Sequence, residues 1–188
     1  MFNFFKKKEK FPEFQKFKKI PRLSRDIIIT EKIDGTNGLI YIDENNNIYA
    51  GSRNRWLDDH NDNHNFWHWV MDNKEELLQL GVGYHYGEWW GNGIQRGYGL
   101  PQGEKRFSLF NTGRWNNDLA RPKCCYVVPI LYEGIFDMGR IAENLSALAT
   151  YGSIASLGFM KPEGIVIYHK AGNYYFKKTI LNDEGKNK

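Results

Sequence analysis

Residues 30–38 read Thr-Glu-Lys-Ile-Asp-Gly-Thr-Asn-Gly, and they separate two apolar, β-branched runs at 27–29 and 39–42. This pattern predicts a strand, a tight loop and a second strand. Gly35 permits a backbone path that a Cβ would hinder, so Lys32 is expected beside Asp34 at the mouth of the loop. A lysine held there can act as an amine nucleophile, although a lone Lys-x-Asp-Gly also fits a surface lysine in a hairpin loop.

Composition favours a single globular domain. The chain has 188 residues, of which 41% are hydrophobic and 15% aromatic. No apolar run approaches the roughly 18 residues of a membrane span, and no apolar stretch follows the N-terminal lysines as it would in a signal peptide. The two cysteines, Cys124 and Cys125, are adjacent, which suits neither a disulfide framework nor a zinc site. These features predict a cytoplasmic protein, of cellular or phage origin.

Positive charge is concentrated at the N-terminus. The net charge is +4, but residues 1–26 carry nine Lys or Arg against three Asp or Glu, a net of +6 that leaves −2 for the rest. Two interpretations stay open: a nucleic-acid-facing arm with lysines on phosphates, or a solubilising tail whose aromatic rings dock onto the core. The aromatic residues interleaved with the lysines are Phe4, Phe5, Phe11, Phe14 and Phe17.

The remaining pattern alternates strands with two helices. Helices are predicted at 61–80 and 140–150, the second with Asp137 as its N-cap. The arrangement predicts an α+β fold with mainly antiparallel sheets and flanking helices. Further strands are predicted at 48–50, in the segment that ends at Trp90, and at 107–110, 126–131, 164–168 and 174–178, the last two joined as a hairpin through 171–173.

Polar and aromatic side chains follow or interrupt several of these strands. Arg53 ends one, and its planar guanidinium suits a phosphate. Glu88 lies on another between glycine and tryptophan, where a carboxylate can accept hydrogen bonds from ribose hydroxyls. Either Phe107 or Phe110 can stack on a purine. Taken singly, Arg53 fits a surface arginine, Glu88 fits a solvent-facing glutamate, and each phenylalanine fits a core aromatic at least as well.

The C-terminal hairpin brings two kinds of charge to one end. Glu163 opens its first strand, and Lys177 and Lys178 close its second. A carboxylate there suits Mg²⁺ and a lysine suits a phosphate, whereas the plain alternative is a charged sheet rim with an ordinary salt bridge. Adjacent lysines on a regular strand point to opposite faces, so we expect only one of them to reach a phosphate.

The order of these stretches resembles the motif series of the covalent nucleotidyltransferases, which include the ATP-dependent ligases and the mRNA-capping guanylyltransferases. Residues 87–96, Gly-Glu-Trp-Trp-Gly-Asn-Gly-Ile-Gln-Arg, look like the Gly-Glu-x-x-Gly-x-Gly-Ile-Gln-Lys segment of the RNA ligase 2 branch, the phage-type and RNA-editing ligases. The resemblance implies an ATP-grasp-like ligase adenylation (nucleotidyltransferase) domain at 27–180. A basic segment at 1–26 would precede it and a tail at 181–188 would follow, with no separate C-terminal domain.

The resemblance also implies a role for each residue. Lys32 is the nucleophile that takes AMP as a lysine phosphoramidate, and Glu163 is associated with a metal, for which Asp34 is a second candidate ligand. The chain departs from the family pattern at two places. Lys177 and Lys178 are adjacent where the family usually has Lys-x-Lys, and Asn111 stands where an aspartate is usual. The implied nucleotide contacts are Glu31 at the adenine, Asn37 near the reacting RNA end, Arg53 and then Lys177 and Lys178 at phosphate, Glu88 at the ribose and Phe110 at the purine.

The implied activity is that of an ATP-dependent RNA ligase using Mg²⁺ or Mn²⁺. It would form a lysyl-AMP intermediate and seal a 5′-phosphate to a 3′-hydroxyl end of nicked or single-stranded RNA, away from membranes. The cations around the α-phosphate are expected to lower the Lys32 pKa. A protein partner or the basic segment would replace a C-terminal domain.

Several alternatives stay open. Within the superfamily they are a DNA ligase and a guanylyltransferase, while an NAD⁺-dependent ligase is disfavoured because no nicotinamide-binding domain precedes Lys32. Outside it they are a non-catalytic RNA-binding module that keeps the fold and a structural β-rich protein.

Overall fold

The computed structural model describes residues 12–181 and residue 183. In this part of the chain, strands form two sheets and short helices lie against them. The strands are β1 Asp26–Lys32, β2 Thr36–Ile42, β3 Ile48–Gly51, β4 Gly83–Gly91, β5 Lys105–Leu109, β6 Cys125–Val127, β7 Ile130–Ile135, β8 Gly164–His169 and β9 Tyr174–Thr179. The helices are α1 Phe66–Asp72, α2 Lys74–Leu77, α3 Thr112–Trp115 and α4 Met138–Tyr151.

Strand order confirms the predicted α+β class. The first sheet has the order β7-β1-β8-β9, and each neighbouring pair is antiparallel. The second has the order β3-β2-β4-β5-β6, in which only the short β6 runs parallel to its neighbour. The four-stranded and five-stranded sheets together form the frame of the fold.

The strands predicted at 27–29 and 39–42 form, but the tight loop between them does not join them as a hairpin. β1 belongs to the four-stranded sheet and β2 to the five-stranded sheet, so residues 33–35 cross from one sheet to the other. A regular β-branched run shows that a strand forms but not which strand it pairs with. Gly35 is needed at the crossing, because a Cβ there would collide with the Trp89 carbonyl oxygen.

Three apolar clusters support this frame. Helix α1 and the helical turns after it cover one face of the five-stranded sheet, with Phe66 and Phe107 fully buried between them. Helix α4 covers the four-stranded sheet through Ile141 and Leu148. The third cluster lies around the crossing segment, where Ile33 packs with Trp90 of the five-stranded sheet and with loop residues that include Tyr98 and Val128.

The helix predicted at 61–80 is shorter and interrupted. His64 and Asn65 have left-handed backbone angles (φ of 53° and 64°), so α1 begins only at Phe66, and Asn73 separates it from α2. The helix predicted at 140–150 is confirmed as α4, and the Asp137 carboxylate accepts a hydrogen bond from the Arg140 amide as an N-cap does.

The C-terminal half follows the prediction with one change. The strands at 164–168 and 174–178 are confirmed as the β8–β9 hairpin. The strand predicted at 126–131 is two strands, β6 and β7, which belong to different sheets. Pro129 lies between them; it has no amide hydrogen for a ladder, and its carbonyl accepts from the Glu31 amide.

Part of the basic segment lies outside the described residues, including Phe4, Phe5 and Phe11. Phe14 and Phe17 are described and are 88% and 84% exposed, so these two rings do not dock onto the core. Of the predicted tail, Leu181 and Asp183 are described. Among the described residues, no helix is both long and apolar enough to cross a bilayer.

Candidate active site

A cleft of about 1640 Å³ lies between the two sheets. Its wall on one side comes from β1, β8 and β9, and on the other from β4 and the residues that follow β5. The cleft therefore collects side chains that are far apart in the sequence. The predicted site residues that line it are Glu31, Lys32, Asp34, Asn37, Arg53, Glu88, Phe110 and Lys177.

Lys32 is the last residue of β1, and strand pairing sets its surroundings. It lies opposite Gly164 at the start of β8, so the residue before that glycine comes close to its side chain. The Lys32 Nζ donates a hydrogen bond to Glu163 Oε2 at 2.5 Å. The nearest charged neighbour of the predicted nucleophile is therefore a carboxylate rather than one of the expected cations.

Glu88 faces the cleft from the opposite wall. It pairs with Asn37 across β4 and β2, and its Oε1 accepts the Gly35 amide at 3.0 Å. Burial raises the pKa of Glu88 to about 7, although the Gly35 amide and the charge of Lys32 act in the other direction. A substantial fraction of this carboxyl group is therefore protonated at neutral pH.

Arg96 connects two parts of the site, a role that the sequence prediction missed. Its Nε donates to Asp34 Oδ2 at 2.8 Å, and its Nη1 donates to the carbonyls of Lys161 and Pro162 at 2.9 and 3.1 Å. The guanidinium thus ties the crossing segment to the residues just before Glu163. The only sequence signal for it was its place at the end of the 87–96 segment.

Glu31 is engaged by a loop that the sequence prediction also missed. Its carboxylate is buried and accepts hydrogen bonds from Ser153 Oγ at 2.6 Å and from the Ile154 and Ala155 amides at 2.8 and 2.9 Å. These bonds anchor the segment after α4 beneath the cleft. Because both carboxylate oxygens accept hydrogen bonds and the Glu31 amide donates to the Pro129 carbonyl, the adenine contact of Glu31 stays a prediction.

The paired lysines separate as strand geometry requires. Lys177 lies opposite Val166 and lines the cleft. Lys178 lies opposite Ile165 and its Nζ donates to Asp183 Oδ2 at 2.6 Å. Of the two lysines, only Lys177 therefore lines the cleft, and its contact with a phosphate stays a prediction.

The two candidate stacking rings also separate. Phe107 is fully buried under α1 and belongs to the core. Phe110 follows β5, is partly buried and lines the cleft. Asn111 accepts the Arg114 amide at 3.1 Å and caps α3, which gives this departure from the family pattern a structural role. Arg53 is exposed at the edge of the cleft.

The metal prediction rests on few ligands. Within residues 12–181, no group of three or more His, Cys, Asp and Glu side chains is placed to hold a metal ion by itself. Mg²⁺ often takes only one or two carboxylates and completes its shell with water and substrate phosphates. Glu163 and Asp34 are each paired with a cation, Lys32 and Arg96 respectively, so both stay candidate ligands of this kind.

The two sheets, with a lysine and carboxylates in the cleft between them, define the nucleotidyltransferase fold of the ligases. The model of the RNA ligase family matches residues 25–180, and the chain belongs to this family. The match does not resolve the branch, so the RNA ligase 2 assignment stays a prediction. No curated protein sequence matches the chain significantly.

Solved structures of Naegleria gruberi RNA ligase share the fold. The structure with pyrophosphate superposes with a TM-score of 0.62 at 24% identity, covering 90% of this chain and 57% of that one. A variant with ATP and manganese gives a TM-score of 0.61 at 25% identity, covering 84% and 50%. The chain spans about half the length of these relatives.

Proposed function

We propose that this chain is an ATP-dependent RNA ligase that forms a lysyl-AMP intermediate on Lys32 and then seals RNA ends. The observation that carries the proposal is the convergence in one cleft of Lys32, Glu88 and Lys177, from three distant parts of the chain. Family membership and the nucleotide-bound relatives support the same conclusion.

The first step is transfer of AMP to the protein. The neutral Lys32 amine attacks the α-phosphorus of ATP; the nitrogen–phosphorus bond forms, and the bond to the bridging oxygen breaks as pyrophosphate leaves. Nζ must lose a proton for this attack, and Glu163, already in hydrogen-bond contact, is placed to receive or relay it. Lys177 and Arg53 offset the negative charge on the phosphoryl oxygens.

Recognition of the nucleoside would come mainly from the five-stranded sheet. Glu88 is placed to accept hydrogen bonds from the ribose hydroxyls, and Phe110 to stack on the purine. Glu163, which contacts the Lys32 amine, would hold Mg²⁺ or Mn²⁺ together with the phosphates. A divalent ion bound there neutralises phosphate charge.

The next two steps act on RNA. The AMP moves from Lys32 to a 5′-phosphate, and a 3′-hydroxyl then attacks that phosphate and displaces AMP. Asn37, next to the crossing segment and opposite Glu88, is proposed to lie near the reacting RNA end.

Covalent labelling tests the first step. Protein incubated with ATP radiolabelled at the α-phosphate and with Mg²⁺ or Mn²⁺ should acquire label that acid releases and alkali does not, as expected for a phosphorus–nitrogen bond. Lys32→Ala should abolish the label, and Lys18→Ala, a change at an exposed lysine outside the cleft, should not. Label retained by Lys32→Ala would refute the proposal.

Substrate choice tests the second half. Labelling with GTP in place of ATP separates a guanylyltransferase from a ligase, and sealing assays on matched nicked RNA and DNA separate the two ligase classes. A non-catalytic module would bind RNA and take up no label from either nucleotide.

A further inference from the structure

The cleft is larger than one nucleotide needs. Pockets for small ligands typically measure about 300–1,000 Å³. This cleft measures about 1640 Å³, and the predicted nucleotide contacts around Lys32 occupy only one part of it. The remaining part opens away from Lys32 and has room for a second ligand.

Tyrosines line this outer part on the five-stranded wall. Tyr84, Tyr86 and Glu88 alternate along β4, so they share the face that looks into the cleft. The two tyrosines are 56% and 55% exposed, and their ring planes lie 12° apart with centroids separated by 6.3 Å. The Tyr84 ring also stacks on Tyr41 at 4.4 Å, which holds it in place.

The four-stranded wall carries a matching pair. Tyr168 and Tyr175 lie opposite each other on β8 and β9, and their rings stack at 4.6 Å. Tyr175 precedes Lys177 by two residues, so it shares the cleft-facing side of β9. Each wall therefore runs from a predicted nucleotide contact to a pair of tyrosines.

The spacing suits a short run of bases. Residues on one face of a strand repeat at about 6.8 Å, so Tyr86 and Tyr84 lie roughly 7 and 14 Å along β4 from Glu88. Stacked bases repeat at about 3.4 Å along a strand of nucleic acid. The tyrosines thus extend over the length of a few nucleotides beyond the reacting position.

Two cations that line the cleft are available to contact the phosphates of a polyanion. Lys170 is occupied by Glu133 at 2.7 Å. Arg53 and Lys177 line the same cleft, and within the described residues no carboxylate forms an ion pair with either. Aromatic faces combined with such cations are typical of single-strand nucleic-acid binding.

We propose that the outer cleft, between Tyr84 and Tyr86 on one wall and Tyr168 and Tyr175 on the other, binds the unpaired nucleotides next to the RNA end by base stacking. This inference rests on the proposed ligase function. It adds a subsite for single-stranded RNA next to the proposed nucleotide site. The stacking contribution of an aromatic ring does not depend on base identity, so the subsite should tolerate any sequence.

Binding measurements test the subsite. The ligand is a fluorescent, 5′-phosphorylated single-stranded RNA, and the readout is fluorescence anisotropy with the full chain. Tyr84→Leu/Tyr86→Leu and Tyr168→Leu/Tyr175→Leu should each weaken binding by about tenfold or more, because one stacked base contributes roughly 5- to 150-fold in affinity. The corresponding phenylalanine variants should bind within about twofold of wild type, because they keep the rings.

Tyr151→Leu is the matched control. Tyr151 is 80% exposed on α4 and does not line the cleft, so its removal should leave RNA affinity unchanged. Thermal melting of every variant separates loss of binding from loss of fold. RNA carrying 4-thiouridine beside its 5′-phosphate should crosslink to peptides that contain the four tyrosines.

The outcomes separate this inference from the proposed function. If wild-type protein takes up no label from ATP, the proposed function fails regardless of RNA affinity. If label forms but folded leucine variants bind RNA as tightly as wild type, only the tyrosine subsite is refuted. Crosslinks confined to residues 12–25 would also refute the subsite. Leucine variants with unchanged RNA affinity are the result expected if the tyrosine-lined surface docks a protein and not RNA.

Discussion

The two walls of the cleft contribute different kinds of chemistry. The four-stranded sheet supplies charge: Lys32, Glu163 and Lys177 come from neighbouring strands whose pairing sets their positions. The five-stranded sheet supplies a less charged surface, where Glu88 is partly buried and accepts a hydrogen bond from the Gly35 amide. The two glutamates of the site therefore differ, because Glu163 pairs with Lys32, whereas burial raises the pKa of Glu88.

This contrast leads us to expect that changes on the four-stranded wall impair the transfer step, and that changes on the other wall alter nucleotide recognition and stability. The strongest test removes the partner of Lys32. Glu163→Ala should lower the rate of covalent labelling by about 10³-fold, in the range of general-base contributions, and Glu163→Gln should lose a similar amount, because an amide cannot take the Lys32 proton. Glu143→Ala is the control, since Glu143 forms a surface ion pair with Arg140 on α4.

The second test separates the two lysines of β9. Lys177→Ala should slow labelling by about 10²-fold, the usual effect of losing one group that stabilises transition-state charge. Lys178→Ala should slow it by no more than about threefold, because that side chain lies outside the cleft and pairs with Asp183. The opposite ranking in single-turnover assays would contradict the assignment of Lys177.

The third test uses pH and stability on the five-stranded wall. The pKa of Glu88 is about 7 in the folded state and near 4.5 when unfolded, so between these values the folded state binds more protons. Stability should therefore fall as pH rises through this window, by roughly 2–3 kcal/mol between pH 5 and pH 8. Urea unfolding of the nucleotide-free protein at both pH values measures the loss.

Glu88→Gln isolates this contribution. The amide does not titrate, so the variant should gain stability relative to wild type as pH rises and should weaken ATP binding without abolishing labelling at saturating ATP. Identical pH dependence of stability in the variant and in wild type would show that burial does not raise the pKa of Glu88.

The smallest expected effect comes from Arg96, which connects the crossing segment to the residues just before Glu163. Arg96→Lys keeps the charge but loses the planar fork that reaches Asp34 and the two carbonyls, so labelling should slow by about tenfold. The KM for ATP should change little if Arg96 positions Glu163 and does not touch the nucleotide. Arg140→Lys on the surface of α4 is the matched control, and a change confined to KM would contradict a positioning role.

Local patterns predicted much of the fold. The C-terminal hairpin, α4 with its Asp137 cap, and the α+β class all follow from periodicity and turn residues, and the structure confirms them. The sequence did not show that β1 and β2 belong to different sheets, because the two strands have the same β-branched character yet pack against different clusters. The helix at 61–80 was too long because left-handed residues at 64 and 65 interrupt a helical pattern.

The residues of the candidate site were likewise predicted only in part. Types of side chain and their order along the chain were enough to nominate Lys32, Glu88 and Glu163. Residue type alone left Phe107 and Phe110 equivalent and only the family resemblance favoured Phe110, while nothing in the sequence distinguished Lys177 from Lys178. Burial decides the first choice, and the pairing of β9 with β8 decides the second.

By itself, the sequence determined which chemical groups the protein has and in what order, since each motif is a local run of residues. Only the tertiary structure decided which groups meet: Lys32 and Glu163 are 131 residues apart, and Glu31 and Ser153 are 122 apart. Contacts over such separations depend on strand pairing and packing across the whole chain, and no local run of residues encodes them. The tyrosine-lined cleft arises in the same way, because the space between its two walls exists only once both sheets have formed.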